Sequence, residues 1–173
     1  MKKHSTTTKS IALVGICASV ALLLSYVEFL LPPIFAAVPG IKLGLPNVVI
    51  LYVLYCVDFK SAALVSFVRI ALSSLLFGNP LTLAYSVAGA VLSLAVMVAL
   101  KSTKLFSTIG VSVCGAVMHN LGQIIVAALV LDTPKIAYYM VILTVTGTLA
   151  GVFIGLCGAH LINRLPKDKI TKR

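Results

Sequence analysis

Long apolar runs separated by short polar or proline- and glycine-bearing breaks occupy nearly the whole chain. They cover Ile11–Leu31, Pro46–Val57, Ser61–Phe77, Leu81–Leu100, Ile109–Leu131 and Ile136–Ile162. A bilayer core about 30 Å thick takes about 20 apolar helical residues to cross. The pattern therefore predicts an all-α integral membrane protein with six transmembrane helices in one domain over residues 11–163. Short basic tails flank it at residues 1–10 and 164–173.

The second run is short. From Pro46 to Val57 a helix reaches roughly 18 Å at 1.5 Å per residue and cannot span unaided. Pro46 suits its first turn, where a missing N–H costs nothing. The helix is expected to start inside a cavity of the protein's own making. The stretch before it, residues 32–45, holds Pro32, Pro33, Pro39, Gly40 and Gly44 among apolar residues. No continuous helix can form there, yet the stretch is too apolar for a solvated loop. Two readings stand: a lid folded back over the outer face, and a re-entrant connector without a ligand.

Composition agrees with the segments: 60% hydrophobic residues and a mean hydropathy of +1.12. The net charge of +10 raises nucleic-acid binding, but its distribution excludes that class. Lys2, Lys3, Lys9, Lys60, Lys101, Lys104, Arg164, Lys167, Lys169, Lys172 and Arg173 fall on one side of the predicted topology. Lys42 and Lys135 fall on the other, and Arg69 lies within the membrane. The positive-inside rule then puts both termini and the 2–3 and 4–5 loops in the cytoplasm of a bacterial-type inner membrane. The tails also suit anionic headgroups. Ile11–Leu31 is too long for a secretory leader and no A-x-A site follows it, so it reads as a retained helix. Cys17, Cys56, Cys114 and Cys157 all lie inside segments, form no CxxC and read as small packing residues.

Arg69 is the sharpest candidate for function. It stands nine residues after Lys60 and nine before Gly78, near mid-bilayer. A charge there is costly unless it meets a partner or a wet cavity. Ser66, Arg69 and Ser73 share one face of the third helix. Thr82, Ser86, Gly89 and Ser93 do so on the fourth. Thr144, Thr148, Gly151, Gly155 and Gly158 form a stripe on the sixth, and such stripes are packing seams first. The run Met118-His119-Asn120-Leu121-Gly122-Gln123 is different, because three hydrogen-bonding side chains at mid-helix need buried partners or water. With Arg69 and Lys42 they can build the anion-binding end of an apolar cavity. His119 can equally be a helix-to-helix tie. Glu28, near the outer end of the first helix, reads as a headgroup contact or a partner of Lys42.

Some chemistry is missing. The four acidic residues, Glu28, Asp58, Asp132 and Asp168, form no carboxylate cluster that could hold Mg²⁺ on a diphosphate. There is no G-x-x-x-x-G-K-[ST] loop for ATP and no metal-ligand spacing of His and Cys. The expectation is a chain without catalytic residues, metal or cofactor, needing a separate motor or ion gradient for active transport.

The small size, six helices, short second helix and proline-bearing loop resemble the substrate-binding S-component of energy-coupling factor (ECF) transporters. The stretch Gly40-Ile41-Lys42-Leu43-Gly44-Leu45-Pro46-Asn47 is similar to the lid-to-helix-two segment of those proteins, and Arg69 stands where they often carry a basic residue. More narrowly, this stretch, Arg69 through Leu-Leu-Phe-Gly78, and Met-His-Asn-Leu-Gly-Gln resemble the group called Gx transporters, also labelled heptaprenyl diphosphate synthase component I.

The resemblance implies substrate capture from the outer face for uptake. Arg69 and Lys42 would neutralise an anionic group. Asn47, His119, Asn120 and Gln123 would orient the ligand, and Tyr85 would stack on a flat or prenyl moiety. Small residues on helix one, Ala12, Gly15 and Ser19, would dock a membrane coupling protein that connects to cytoplasmic ATPases. The alternative is a non-catalytic accessory subunit in isoprenoid or quinone metabolism, partnered by a soluble prenyl synthase subunit. The group is also associated with quinone- and flavin-linked electron transfer. A plain membrane anchor is the third reading.

Overall fold

A computed structural model of the chain describes residues 2–30, 44–131 and 137–165. Among these residues there are six helices: α1 (Lys2–Leu30), α2 (Asn47–Cys56), α3 (Phe59–Phe77), α4 (Pro80–Thr103), α5 (Thr108–Leu131) and α6 (Ala137–Arg164). Each predicted segment is a helix. Five are long and apolar enough to cross a membrane, and α2 is not. Helix α1 begins nine residues before the apolar run does, at Lys2. No proline or glycine interrupts residues 2–10, so the helix runs on through the basic stretch. Most of the loop expected at 32–45, with Lys42, lies outside the described residues.

Local chemistry sets the tight corners. Asp58 caps α3, its carboxylate accepting from Ser61 N at 2.6 Å. Asn79 caps α4 through a reciprocal box: Thr82 N donates to Asn79 Oδ1 at 2.8 Å and Asn79 N donates to Thr82 Oγ1 at 2.9 Å. Pro80 occupies the first turn of α4, where proline is tolerated. These caps satisfy N–H groups that a helix cannot pair internally. They join α2 to α3 and α3 to α4 through residues 57–58 and 78–79.

Helix α2 is the core of the fold. Val49 through Leu54 and Cys56 are all buried, enclosed by α1, α3 and α6. Its end is held from another helix: Lys101 Nζ of α4 donates to Leu54 O at 2.5 Å and lies 5.1 Å from the centre of the Tyr55 ring. A cation at the carbonyl end of a helix meets both the unpaired acceptors and the negative pole.

Glycines fuse α4, α5 and α6. A β-carbon on Gly122 of α5 would lie 2.7 Å from Ala88 O and 2.8 Å from Gly89 Cα of α4. One on Gly151 of α6 would lie 2.7 Å from Val113 Cα, and one on Gly155 would lie 2.8 Å from Ile109 Cα, both on α5. Ser112 Oγ of α5 adds a bond of 2.8 Å to Gly151 O. The glycines of the α6 stripe are thus the packing seam expected of them. Gly158 faces Leu51 of α2 instead. Thr144 and Thr148 spend their hydroxyls on carbonyls one turn back in their own helix, each at 2.8 Å.

Helix α1 is attached differently. It packs on α3 and α2 through Cys17, Ala21 and Ser25, one turn apart. Ala12, Gly15 and Ser19 lie on the exposed side, and a β-carbon on Gly15 would meet nothing within 4 Å.

Candidate functional site

At the end of the bundle where α2, α4 and α6 begin, α2 stops short and a half-open cavity of about 330 Å³ stands above it. All six helices or their immediate flanks line it. Asn47 and Gly44 form the floor, Ser25 and Glu28 come from α1, and Arg69, Ser73 and Phe77 from α3. Ser86 comes from α4, and Ala116, His119, Asn120 and Gln123 from α5. The wall supplied by α6 holds Thr146, Gly147, Leu149, Ala150, Phe153 and Ile154.

Five of the seven side chains expected to bind a ligand meet here: Asn47, Arg69, His119, Asn120 and Gln123. Lys42 lies outside the described residues. Tyr85 does not line the cavity. It is half-buried one residue before Ser86, and one residue is about 100° around a helix. Ser66 points elsewhere too: it is buried and lines a second, apolar hollow between α3 and α4. Helix α1 contributes to the walls through Ser25 and Glu28.

Arg69 sits roughly 12 Å below the upper end of α3. Its Nε is buried and has no hydrogen-bond partner among the described residues. Ser73 Oγ, on the same face of α3, donates to Ile70 O at 3.1 Å. Glu28 is close enough to attract the guanidinium. Its Oε1 also accepts the backbone N–H of Gly44. Glu28 thus ties α1 to the residues that lead into α2. That N–H belongs to a residue with φ of +74°, a conformation that favours glycine. The N–H groups opening α2 are already used: Asn47 N reaches Gly44 O at 2.8 Å and Val48 N reaches Leu45 O at 3.2 Å. The helix start therefore offers little to a ligand, and the Asn47 side chain is what faces the cavity.

On α5, Gln123 Nε2 lies 3.2 Å from His119 Nε2, one turn back on the same face. His119 packs against Gly89 of α4, where a β-carbon would come within 2.9 Å of the ring. Asn120 Nδ2 donates to Leu143 O of α6 at 2.7 Å, with Gly147 making room for it. Asn120 is therefore a tie between helices that leaves its amide oxygen for the cavity. Above the site, Phe77 meets Tyr26 and Phe29 of α1 at ring-centre distances of 5.8 and 5.0 Å. Among the described residues no three His, Cys, Asp or Glu side chains gather as a metal ion would need.

The residues that the sequence reading missed include Ser25 and the α6 wall, and it read Glu28 as a headgroup contact or a partner of Lys42, not as part of the cavity. Ser25 could have been found from its register, one turn below Glu28 and Phe29. Leu149 and Phe153 carry no signal that separates them from lipid-facing residues.

Fold and site together define a helical membrane protein with a charged, half-open cavity above a truncated helix. The chain belongs to the heptaprenyl diphosphate synthase component I family, whose sequence model matches residues 17–161. No curated protein and no solved structure matches it.

Proposed function

We propose that this chain is a membrane ligand-binding subunit that takes a small anionic or amphipathic ligand into the Arg69 cavity. The buried, unpartnered Arg69 Nε carries this reading. An Nε–H shut away from water needs an acceptor, and an anion supplies one. Asn47, His119, Gln123 and the free oxygen of Asn120 orient the rest of the ligand by hydrogen bonds. In this reading the cavity faces outward, both termini are cytoplasmic, and the ligand is taken up. A coupling protein bearing cytoplasmic ATPases would supply the energy, docked on Ala12, Gly15 and Ser19.

The family match favours a second reading. Here the chain is a non-catalytic membrane partner of a soluble prenyl synthase component, and the cavity holds the polar end of an isoprenoid or quinone. Purification after gentle extraction separates the two. Co-purifying ATPases and a coupling protein support uptake, whereas a co-purifying soluble prenyl synthase supports the second reading.

Two further outcomes are expected. Gly15→Leu should reduce uptake or complex formation without lowering the melting temperature, because a β-carbon there has open space around it. Unchanged uptake and assembly would remove this face of α1 as the docking surface. For orientation, cysteine at the exposed Pro80 should react with an impermeant thiol reagent added outside, and cysteine at the exposed Ser102 should not, in a background without native cysteines. The reverse pattern would turn the cavity toward the cytoplasm.

A further inference from the structure

Two walls of the cavity are not packed on each other among the described residues. Helix α1 packs on α3 and α2, and α6 packs on α5 and α2. Both α1 and α6 line the cavity, yet they share no extended contact among the described residues. On the α6 side of this gap stand Leu149 and Phe153, one turn apart. They are 67% and 56% exposed, and they line the same cavity as Arg69. Large exposed apolar side chains on a membrane-crossing helix normally face acyl chains. Here that face continues, through Ile154 and Ala150, to the polar group around Arg69. A site for a fully water-soluble anion would wall off hydrocarbon from the charge. This one grades from hydrocarbon to guanidinium along a single surface.

Charge narrows the head. The cavity holds the Glu28 carboxylate as well as Arg69. A head with two or more negative charges would gain from the arginine but be repelled by the carboxylate, and in a poorly screened site both terms are strong. A single negative charge suits the pair better.

We propose that the cavity takes a single-chain amphipath with a singly charged anionic head. The head meets Arg69, and the chain lies across Leu149 and Phe153 and leaves sideways between α1 and α6. This rests on reading the Arg69 cavity as a ligand site, and it makes the bilayer the route of access. The ligand diffuses in the membrane and enters laterally, so its chain need not cross water.

The test uses the full-length protein in phosphatidylcholine nanodiscs with a hexadecanoic acid carrying a photoreactive diazirine at mid-chain. After illumination, the labelled residues are mapped by peptide mass spectrometry. Leu75, 82% exposed on α3 and not lining the cavity, reports ordinary lipid contact. Labelling at Leu149–Phe153 should exceed that at Leu75 and fall about 10-fold in Arg69→Gln, the loss expected of a charged hydrogen bond. Labelling at Leu75 should stay constant. Arg69→Lys should recover part of the loss, and Leu149→Asn with Phe153→Asn, both exposed, should reduce capture while the protein melts normally. Labelling at Leu149–Phe153 equal to Leu75 and indifferent to Arg69→Gln would overturn the proposal. In that case butanoate, which has a similar head and almost no chain, decides the fate of the broader reading. If it binds in an Arg69-dependent way, the cavity is a site for soluble anions. If it does not, the ligand-site reading falls too.

Discussion

Replacing Gly122 by valine is expected to lower the melting temperature by about 2–12 °C, or to leave little folded protein to purify. The reason is backbone geometry. A β-carbon at this position meets Ala88 O at 2.7 Å and Gly89 Cα at 2.8 Å. Both are main-chain atoms of α4, so no side-chain rotation relieves the clash and the two helices must separate. Separation would also disturb the neighbouring contacts of Gly89 with His119 and of Gly115 with Met97 and Ser93. Overpacking of this kind costs about 1–3 kcal/mol or more. For a chain of this size each kcal/mol moves the midpoint by about 2–4 °C. The measurement is thermal unfolding followed with a thiol-reactive dye, since Cys17 and Cys56 are buried in the folded state. Gly15→Val is the matched control, because the same change at an open position should shift the midpoint by less than about 2 °C. Equal midpoints for the two variants would mean that α4 and α5 do not approach as described.

The second large effect is on binding. Arg69→Gln should weaken laurate binding in nanodiscs by about 10-fold or more, since hydrogen bonds to a charged group contribute about 1.5–3 kcal/mol. Glutamine keeps a polar, donating side chain but loses the charge. Lysine keeps the charge but loses the planar fork that grips an oxyanion with two parallel bonds. Arg69→Lys should therefore fall between the two. Stability without ligand should change little in either variant. The attraction to Glu28 is reduced, but an unpaired buried N–H is removed at the same time. A variant that binds laurate normally yet melts early would show that Arg69 holds the helices and not a ligand.

The positions of the helices were legible because a membrane leaves few options. Every backbone group must be paired inside a helix, and the breaks must hold the prolines, glycines and charges. The Asn79-Pro80 junction was equally readable as a cap, although only the fold drew it out. The α5 cluster was legible for a related reason: His119, Asn120 and Gln123 have no business in an apolar helix without a polar space beside them. Phase was less secure. Tyr85 and Ser86 are adjacent in sequence but lie on different faces, and only the packing of α4 on α5 through Gly89 shows which one meets the cavity. The α6 wall was invisible, because leucine and phenylalanine look the same toward lipid and toward a cavity. Glu28 read as a headgroup contact or a partner of Lys42, and nothing local pointed to the Gly44 N–H that its carboxylate accepts. That contact joins residues sixteen apart in sequence, which no local pattern specifies.

The brevity of α2 has a consequence for how this architecture can change. Ten residues make a rod of roughly 15 Å, about half the thickness of the hydrocarbon core. The cavity is the other half of that rod, left out. Its floor is wherever the helix starts, and Gly44 and Pro46 mark that start. One added turn above Asn47 would raise the floor by roughly 5 Å and fill much of the room beside Arg69. One turn fewer would deepen the cavity without altering any surrounding helix. The size of molecule accommodated is then a matter of where one helix begins. A lineage could retune it by shifting a single proline, while the five spanning helices and their glycine seams stayed as they are.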